Sequence, residues 1–130
     1  MREPRFLNID QTLALHDMQI HMFGGAGGVR DIGLLSSALG NAEATFGGQF
    51  LHQTLFEMAA AYLCGICLNH PFVDGNKRTA VHAALTFLDL NGIDVTATED
   101  DFYDMVIGVA EGRVSKAAVA VFFETHHERT

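Results

Sequence analysis

The chain has 130 residues, 48% of them hydrophobic and only two of them proline, a composition unlike that of a disordered segment and long enough to bury about two thirds of its unfolded surface. Sixteen acidic against eight basic side chains give a formal net charge of −8, which argues against non-specific nucleic-acid binding, since that needs a basic field. No uncharged apolar run reaches the roughly 18 residues that span a bilayer, and no basic segment leading into an apolar one opens the chain, so one cytoplasmic domain over residues 1–130 with no membrane contact is expected.

Asn8 or Asp10 is placed to cap a first helix carrying Leu13, Leu15, Met18, Ile20 and Met22, which Gly24-Gly25 stops. Its His16-Asp17 pair resembles the metal dyad of His-Asp phosphohydrolases. No second His-plus-Asp set follows at a matching interval, so His16, Asp17 and His21 are assigned to the helix surface. Residues 24–31 form a glycine-rich loop with one cation, Arg30. It lacks the Gly-Lys-Ser/Thr ending and the preceding strand of a phosphate loop, and reads as an interhelical connection with Arg30 pairing nearby acids.

Asp31 suits the N-cap of a second helix from Ile32 to about Phe46, with Leu34, Leu35, Ala38, Leu39 and Ala42 inward and Gly47-Gly48 ending it. Residues 47–53 are then a loop, with His52 and Gln53 as candidates for the mouth of a site. A third helix starts at about Thr54 and carries Cys64-Gly65-Ile66-Cys67. With no second Cys pair and no strand before it, this spacing reads as two buried thiols one turn apart rather than a redox pair, half a zinc site or a disulfide.

A fourth helix runs from about Asn76 to Leu90, with His82 in ordinary packing and Asn91-Gly92 as a left-handed stop. Thr98-Glu99-Asp100-Asp101 resembles a capping box that opens a fifth, with Phe102, Met105, Val106 and Val109 inward and Gly112 closing it. Ser115 opens the last, with Ala118, Val119, Phe122 and Phe123 inward, and His126-His127-Glu128-Arg129 is a frayed polar tail. The sum is an all-α fold of about six helices with no strand.

The chemistry is concentrated in His70-Pro71-Phe72-Val73-Asp74-Gly75-Asn76-Lys77-Arg78-Thr79-Ala80, between the third and fourth helices. Pro71 forces its predecessor out of the α region, so the third helix ends at about Asn69 or His70. Gly75 allows a close bend, and the amide of Asn76 is placed to cap the fourth helix. The N-terminus of that helix offers unpaired N–H groups, and Lys77 and Arg78 add two charges there, which together suit a polyphosphate. Asp74 is placed to hold a divalent cation such as Mg²⁺ beside the phosphates. His70 is placed to take the proton of an attacking hydroxyl, because imidazole as a group titrates near neutrality.

These residues closely resemble the signature of the Fic/Doc (Fido) family, His-x-Phe-x-Asp/Glu-Gly-Asn-Gly-Arg-x-x-Arg, at His70, Phe72, Asp74, Gly75, Asn76 and Arg78. Lys77 stands where the adenylyl transferases of the family carry their second Gly, and Val81 where they carry their second Arg. Both departures match the death-on-curing branch, which reads His-x-Phe-x-Asp-x-Asn-Lys-Arg-Thr. The segments 23–35 and 87–92 are also similar to that branch. The resemblance implies a Fido-type helical domain with the motif loop between two central helices, and ATP bound in the reverse sense so that its γ-phosphate passes to a protein hydroxyl. It implies His70 as general base, Asp74 as the Mg²⁺ ligand, Lys77 and Arg78 in catalysis, and Gly75, Asn76, Lys77, Arg78 and Thr79 as the nucleotide cradle. Phe72 becomes a core anchor, and the 24–31 loop lies near a flap over the site, where Arg30 would meet target or nucleotide.

It further implies a toxin of a toxin–antitoxin pair, with a translation elongation factor as target class and an antitoxin whose helix covers the cleft. The self-restraining Ser/Thr-x-x-x-Glu-Gly/Asn segment is not found, because Ser36 to Asn41 has Gly40 where the Glu would stand. Two other readings compete: adenylyl transfer to a hydroxyl, against which Lys77 and Val81 speak, and a catalytically idle module that uses the anion pocket to dock a partner.

Overall fold

The computed structural model describes residues 3–129 and contains six helices joined by short loops, with two small antiparallel strand pairs. Helix α1 (Ile9–Phe23) begins at Asn8, not Asp10, because Asn8 completes a capping box. Its Oδ1 accepts from the Gln11 N–H at 2.8 Å, and its own N–H donates to Gln11 Oε1 at 2.9 Å. Asp31 caps α2 (Ile32–Ala42) by accepting from the Leu34 N–H. That helix stops at Ala42 rather than near Phe46. Thr45–Phe46 (β1) and Gln49–Phe50 (β2) pair antiparallel instead, across Gly47 and Gly48 at φ of 61° and 81°. Two consecutive residues at positive φ are what a two-residue hairpin turn demands, so the glycines expected to end a helix make a hairpin.

Helices α3 (Leu55–Asn69) and α4 (Asn76–Leu90) form the centre. Apolar residues lie all round α3, which is the pattern of a fully buried helix, and its Ala59, Ala60 and Ala61 let neighbours approach closely. It packs against α2, α4, α5 (Glu99–Ala110) and α6 (Lys116–Thr125), while α1 lies across α4. Thr98 and Ser115 cap α5 and α6 as their positions predict. After α4, Ile93–Val95 (β3) pairs with His127–Arg129 (β4), so the tail expected to fray is a strand. The ladder, the Thr96 N–H on the His126 carbonyl at 2.9 Å and the His127 ring against Phe56 hold it. No helix among the described residues is long and apolar enough to cross a membrane.

The core contains few polar groups. Cys64 and Cys67 are free buried thiols, and burial pushes Cys64 up to about 11, where almost no thiolate exists near neutrality. Tyr62, fully buried on α3, accepts the Leu7 N–H at 2.9 Å through its hydroxyl oxygen, and burial raises its pKa to about 12. This bond ties the segment before α1 to the centre of the molecule. Tyr62→Phe keeps the ring but leaves the Leu7 N–H buried and unpaired. Urea unfolding should show a loss of about 1–3 kcal/mol, and an unchanged midpoint would mean that Leu7 finds another acceptor.

Candidate active site

The site is built where α3 ends. His70 takes the left-handed conformation, at φ 50° and ψ 54°, the only non-glycine residue among those described with positive φ. Such a residue is uncommon and must be held in place by its surroundings. Arg30 supplies much of the hold: its Nε donates to the His70 carbonyl at 2.7 Å and its Nη2 to the Asn69 carbonyl at 2.9 Å. A guanidinium on the last carbonyls of a helix also sits at the negative end of its dipole. Arg30 therefore pairs with main-chain oxygens and not with surface acids as expected.

The glycine-rich loop lies along the motif loop. Arg30 and Asp31 N–H groups both donate to the Pro71 carbonyl, at 2.7 and 3.0 Å, the Val73 N–H donates to the Gly28 carbonyl at 3.1 Å, and Val29 bridges to Phe72. Asn76 fixes the motif loop from the other side. Its Oδ1 accepts from the Phe72 N–H and its Nδ2 donates to the Phe72 carbonyl, each at 3.0 Å. Thus Asn76, buried at the first position of α4, braces the loop and does not cap the helix. The N-cap is Gly75 at φ 77°, which has no side chain to offer, so no side chain caps the first turn of α4.

Asn76 Nδ2 also lies 3.3 Å from His70 Nδ1. An amide N–H aimed at Nδ1 places the proton of the neutral ring on Nε2. The His70 side chain is exposed. Asp74 is exposed too; its Oδ1 accepts from the Gly75 N–H at 2.9 Å and its Oδ2 from the Ala26 N–H at 3.3 Å. His16, expected on the surface, is 2% exposed. Its ring stacks on Phe72 at 3.8 Å between centroids, and its Nε2–H donates to the Asp74 carbonyl at 2.8 Å. Phe72 provides the flat apolar partner that makes this burial possible. Asp17 and His21 remain exposed.

Lys77 and Arg78 are half-buried at the uncapped turn, and neither pairs with a carboxylate; the one ion pair among the described residues joins Arg113 and Glu111. The Arg78 guanidinium lies 4.0 Å above the Phe23 ring and 5.9 Å from that of Tyr103. A cleft of about 260 Å³ brings together His70, Asp74, Gly75, Asn76, Lys77 and Arg78, with Gln19, Phe23 and Tyr103 completing its wall. Thr79 is outside that lining and fully buried, its hydroxyl without a partner among the described residues. A second cavity of about 330 Å³ shares Lys77, Arg78 and Tyr103 and continues over an apolar wall of Val81, Leu85, Phe102 and Val106.

His52 and Gln53 line neither cavity. Both precede α3, whose 15 residues separate them from the motif by about 22 Å of helix. His52 is buried, and burial and then Lys116 lower its pKa. His82 is at the rim of the larger cavity, its pKa lowered by desolvation and then by Arg78. No group of three or more His, Cys, Asp or Glu side chains able to hold a metal occurs among the described residues.

The helix pair thus brings an exposed histidine, a carboxylate and two cations without carboxylate partners to one uncapped helix N-terminus. The comparison with known families names the class of the domain: a model of the Fic/DOC family matches residues 6–88, and the chain belongs to that family. It is 35% identical over 116 residues to the protein kinase doc of Escherichia phage P1, an alignment covering 89% of this chain and 90% of that one. It is 47% identical over 78 residues to the toxin Doc of Mycolicibacterium smegmatis, covering 60% of each.

Asn76→Ala removes both bonds to Phe72 and leaves a buried N–H and a buried carbonyl unmet. The expected cost is about 2 kcal/mol or more in denaturant unfolding, with faster amide exchange at Phe72 and Val73. Unchanged exchange there would show that the loop holds without the brace.

Proposed function

We propose that this chain is a Doc-type toxin that acts as an ATP-dependent protein kinase, passing the γ-phosphate of ATP to a Ser or Thr hydroxyl of a target protein. The observation that carries the reading is the pair Lys77 and Arg78, half-buried and without carboxylate partners at the uncapped turn of α4, in one cleft with His70. The phage relative, aligned over most of both chains, is named a protein kinase and the mycobacterial one a toxin. The family likeness suggests a translation elongation factor as target class.

In this reading Lys77, Arg78 and the first-turn N–H groups of α4 hold the phosphates, with Gly75 letting them approach the backbone. Thr79, being sealed, acts only by supporting that turn. Asp74 fits a Mg²⁺ ligand. Its carboxylate is exposed and each oxygen accepts a single N–H, and one carboxylate plus substrate phosphates is how that cation is usually held. When bound, the cation would offset charge on the polyphosphate.

The target hydroxyl oxygen forms a bond to the γ-phosphorus as the bond to the β–γ bridging oxygen breaks, ADP leaves, and the hydroxyl proton goes to His70. A turn of the exposed ring that swings Nδ1 off Asn76 bares the lone pair needed to accept it. Lys77 and Val81 favour phosphoryl over adenylyl transfer. Lys77 fills the place of a glycine, and Val81 is part of an apolar wall where adenylyl transferases carry an Arg. With Gly40 at the place of a blocking glutamate, restraint is assigned to a separate antitoxin whose helix covers the cleft, in the cytoplasm. We assign residues 1–130 to one domain; the packing of α5 and α6 on α3, beyond the family match, supports that assignment.

The test is incubation with Mg²⁺, ATP labelled at the α- or the γ-phosphate, and a cytoplasmic extract, using the intact chain and His70→Ala. Label is expected on protein from the γ-position only, falling at least 100-fold in the variant. Label from the α-position would replace this reading with adenylyl transfer. Full labelling by His70→Ala would remove His70 from the chemistry, and a biological effect that survives the variant without labelling would point to a binding module.

A further inference from the structure

On α1, residues 16, 19, 20 and 23 share one face. Three of them have evident partners in the motif: His16 holds the Asp74 carbonyl, Ile20 packs on Gly75, and Phe23 lies under Arg78. Gln19 does not. It is 3% exposed and lines the anion cleft, yet its Oε1 is sealed from solvent with no donor, and neither end of its amide is hydrogen-bonded among the described residues. A buried amide without partners is costly, and folds keep such a group where something else completes it.

The geometry points to Gln19 as a substrate-binding residue whose amide NH₂ donates to a phosphate oxygen of the polyphosphate held at the N-terminus of α4. This rests on the anion reading of the cleft given above and adds a residue outside the signature. The cleft gathers Lys77, Arg78 and open main-chain N–H groups, so it attracts a ligand that only accepts. Oε1 is the sealed end of the amide, so Nε2 is the end left for the cleft and donates to the arriving anion without a turn of the side chain. The opposite assignment, in which Oε1 accepts from a hydroxyl or a cation-bound water, makes a different prediction for a carboxylate at this position.

The probes are inorganic tripolyphosphate and Mg²⁺-ATP, titrated by calorimetry into the intact chain and into Gln19→Met, Gln19→Glu and Lys77→Met, each first checked for an unchanged melting profile. The expected result is about a tenfold weaker Kd for Gln19→Met, and a larger loss for Gln19→Glu because it sets a like charge against the phosphate. Lys77→Met should also lose affinity. Gln19→Glu binding as well as or better than Gln19→Met would overturn the donor role. Loss on Lys77→Met with both Gln19 variants unchanged would overturn this inference and leave the cleft reading intact. An intact chain that binds neither probe, or a Lys77→Met chain that binds both normally, would overturn the cleft reading itself. Should Gln19→Glu fail to fold, Gln19→Met decides: an unchanged Kd sinks the proposal and a tenfold loss sustains it.

Discussion

The two bonds between the Asn76 amide and the main chain of Phe72 are the constraint on which the site depends. They close a five-residue loop, from 72 to 76, onto the first residue of α4, so that the loop and helix turn as one piece. Because Asn76 is committed to this brace, it is not free to cap α4, and Gly75 in its left-handed conformation cannot. No side chain therefore caps the N–H groups of that turn. A conventional cap would have stabilised the helix by about 1 kcal/mol while filling the place where an anion would bind.

The same economy governs the flanks. Arg30 occupies the carbonyl end of α3 just as the N–H end of α4 is left empty, so the elbow has one terminus satisfied from within the chain and one open. His16 serves from a third direction. Its flat ring against Phe72 needs the phenyl group buried, and its donated hydrogen bond fixes the carbonyl of Asp74, whose side chain remains outside. Backbone held by α1 and by the glycine-rich loop thus carries the exposed side chains of His70 and Asp74. A rigid scaffold under exposed polar side chains is the usual division at a loop site.

The six helices were readable because their caps and apolar periods agree: Asp31, Thr54, Thr98 and Ser115 each accept from the residue three positions on, as their types predict. The short strands were not readable. Gly47-Gly48 is the same dipeptide whether it stops a helix or turns a hairpin, and β4 is defined by pairing with β3 more than thirty residues earlier. Within the site, the place of the motif between two helices was legible from Pro71, Gly75 and the flanking apolar runs, but the partners of Arg30 and His16 were not. A lone Arg in a glycine-rich loop and a lone His on a helix reveal their partners only when distant segments meet, here 40 and 58 residues away. The one available signal was period: His16, Ile20 and Phe23 recur at spacings of four and three, so a histidine shared a stripe with residues that needed burial.

Charge gives the arrangement its last consequence. The chain as a whole carries −8, yet Lys77 and Arg78 stand without carboxylate partners, and the Arg78 guanidinium lies over the face of Phe23. An aromatic face attracts a guanidinium without neutralising it, whereas an aspartate in the same place would have cancelled the field of the cleft. Lys77 and Arg78 are thus a local exception of positive sign on an acidic protein. Among the described residues Asp74 is the one acid lining that cleft, so the turn sets two cations against one carboxylate on a protein whose acids outnumber its bases two to one.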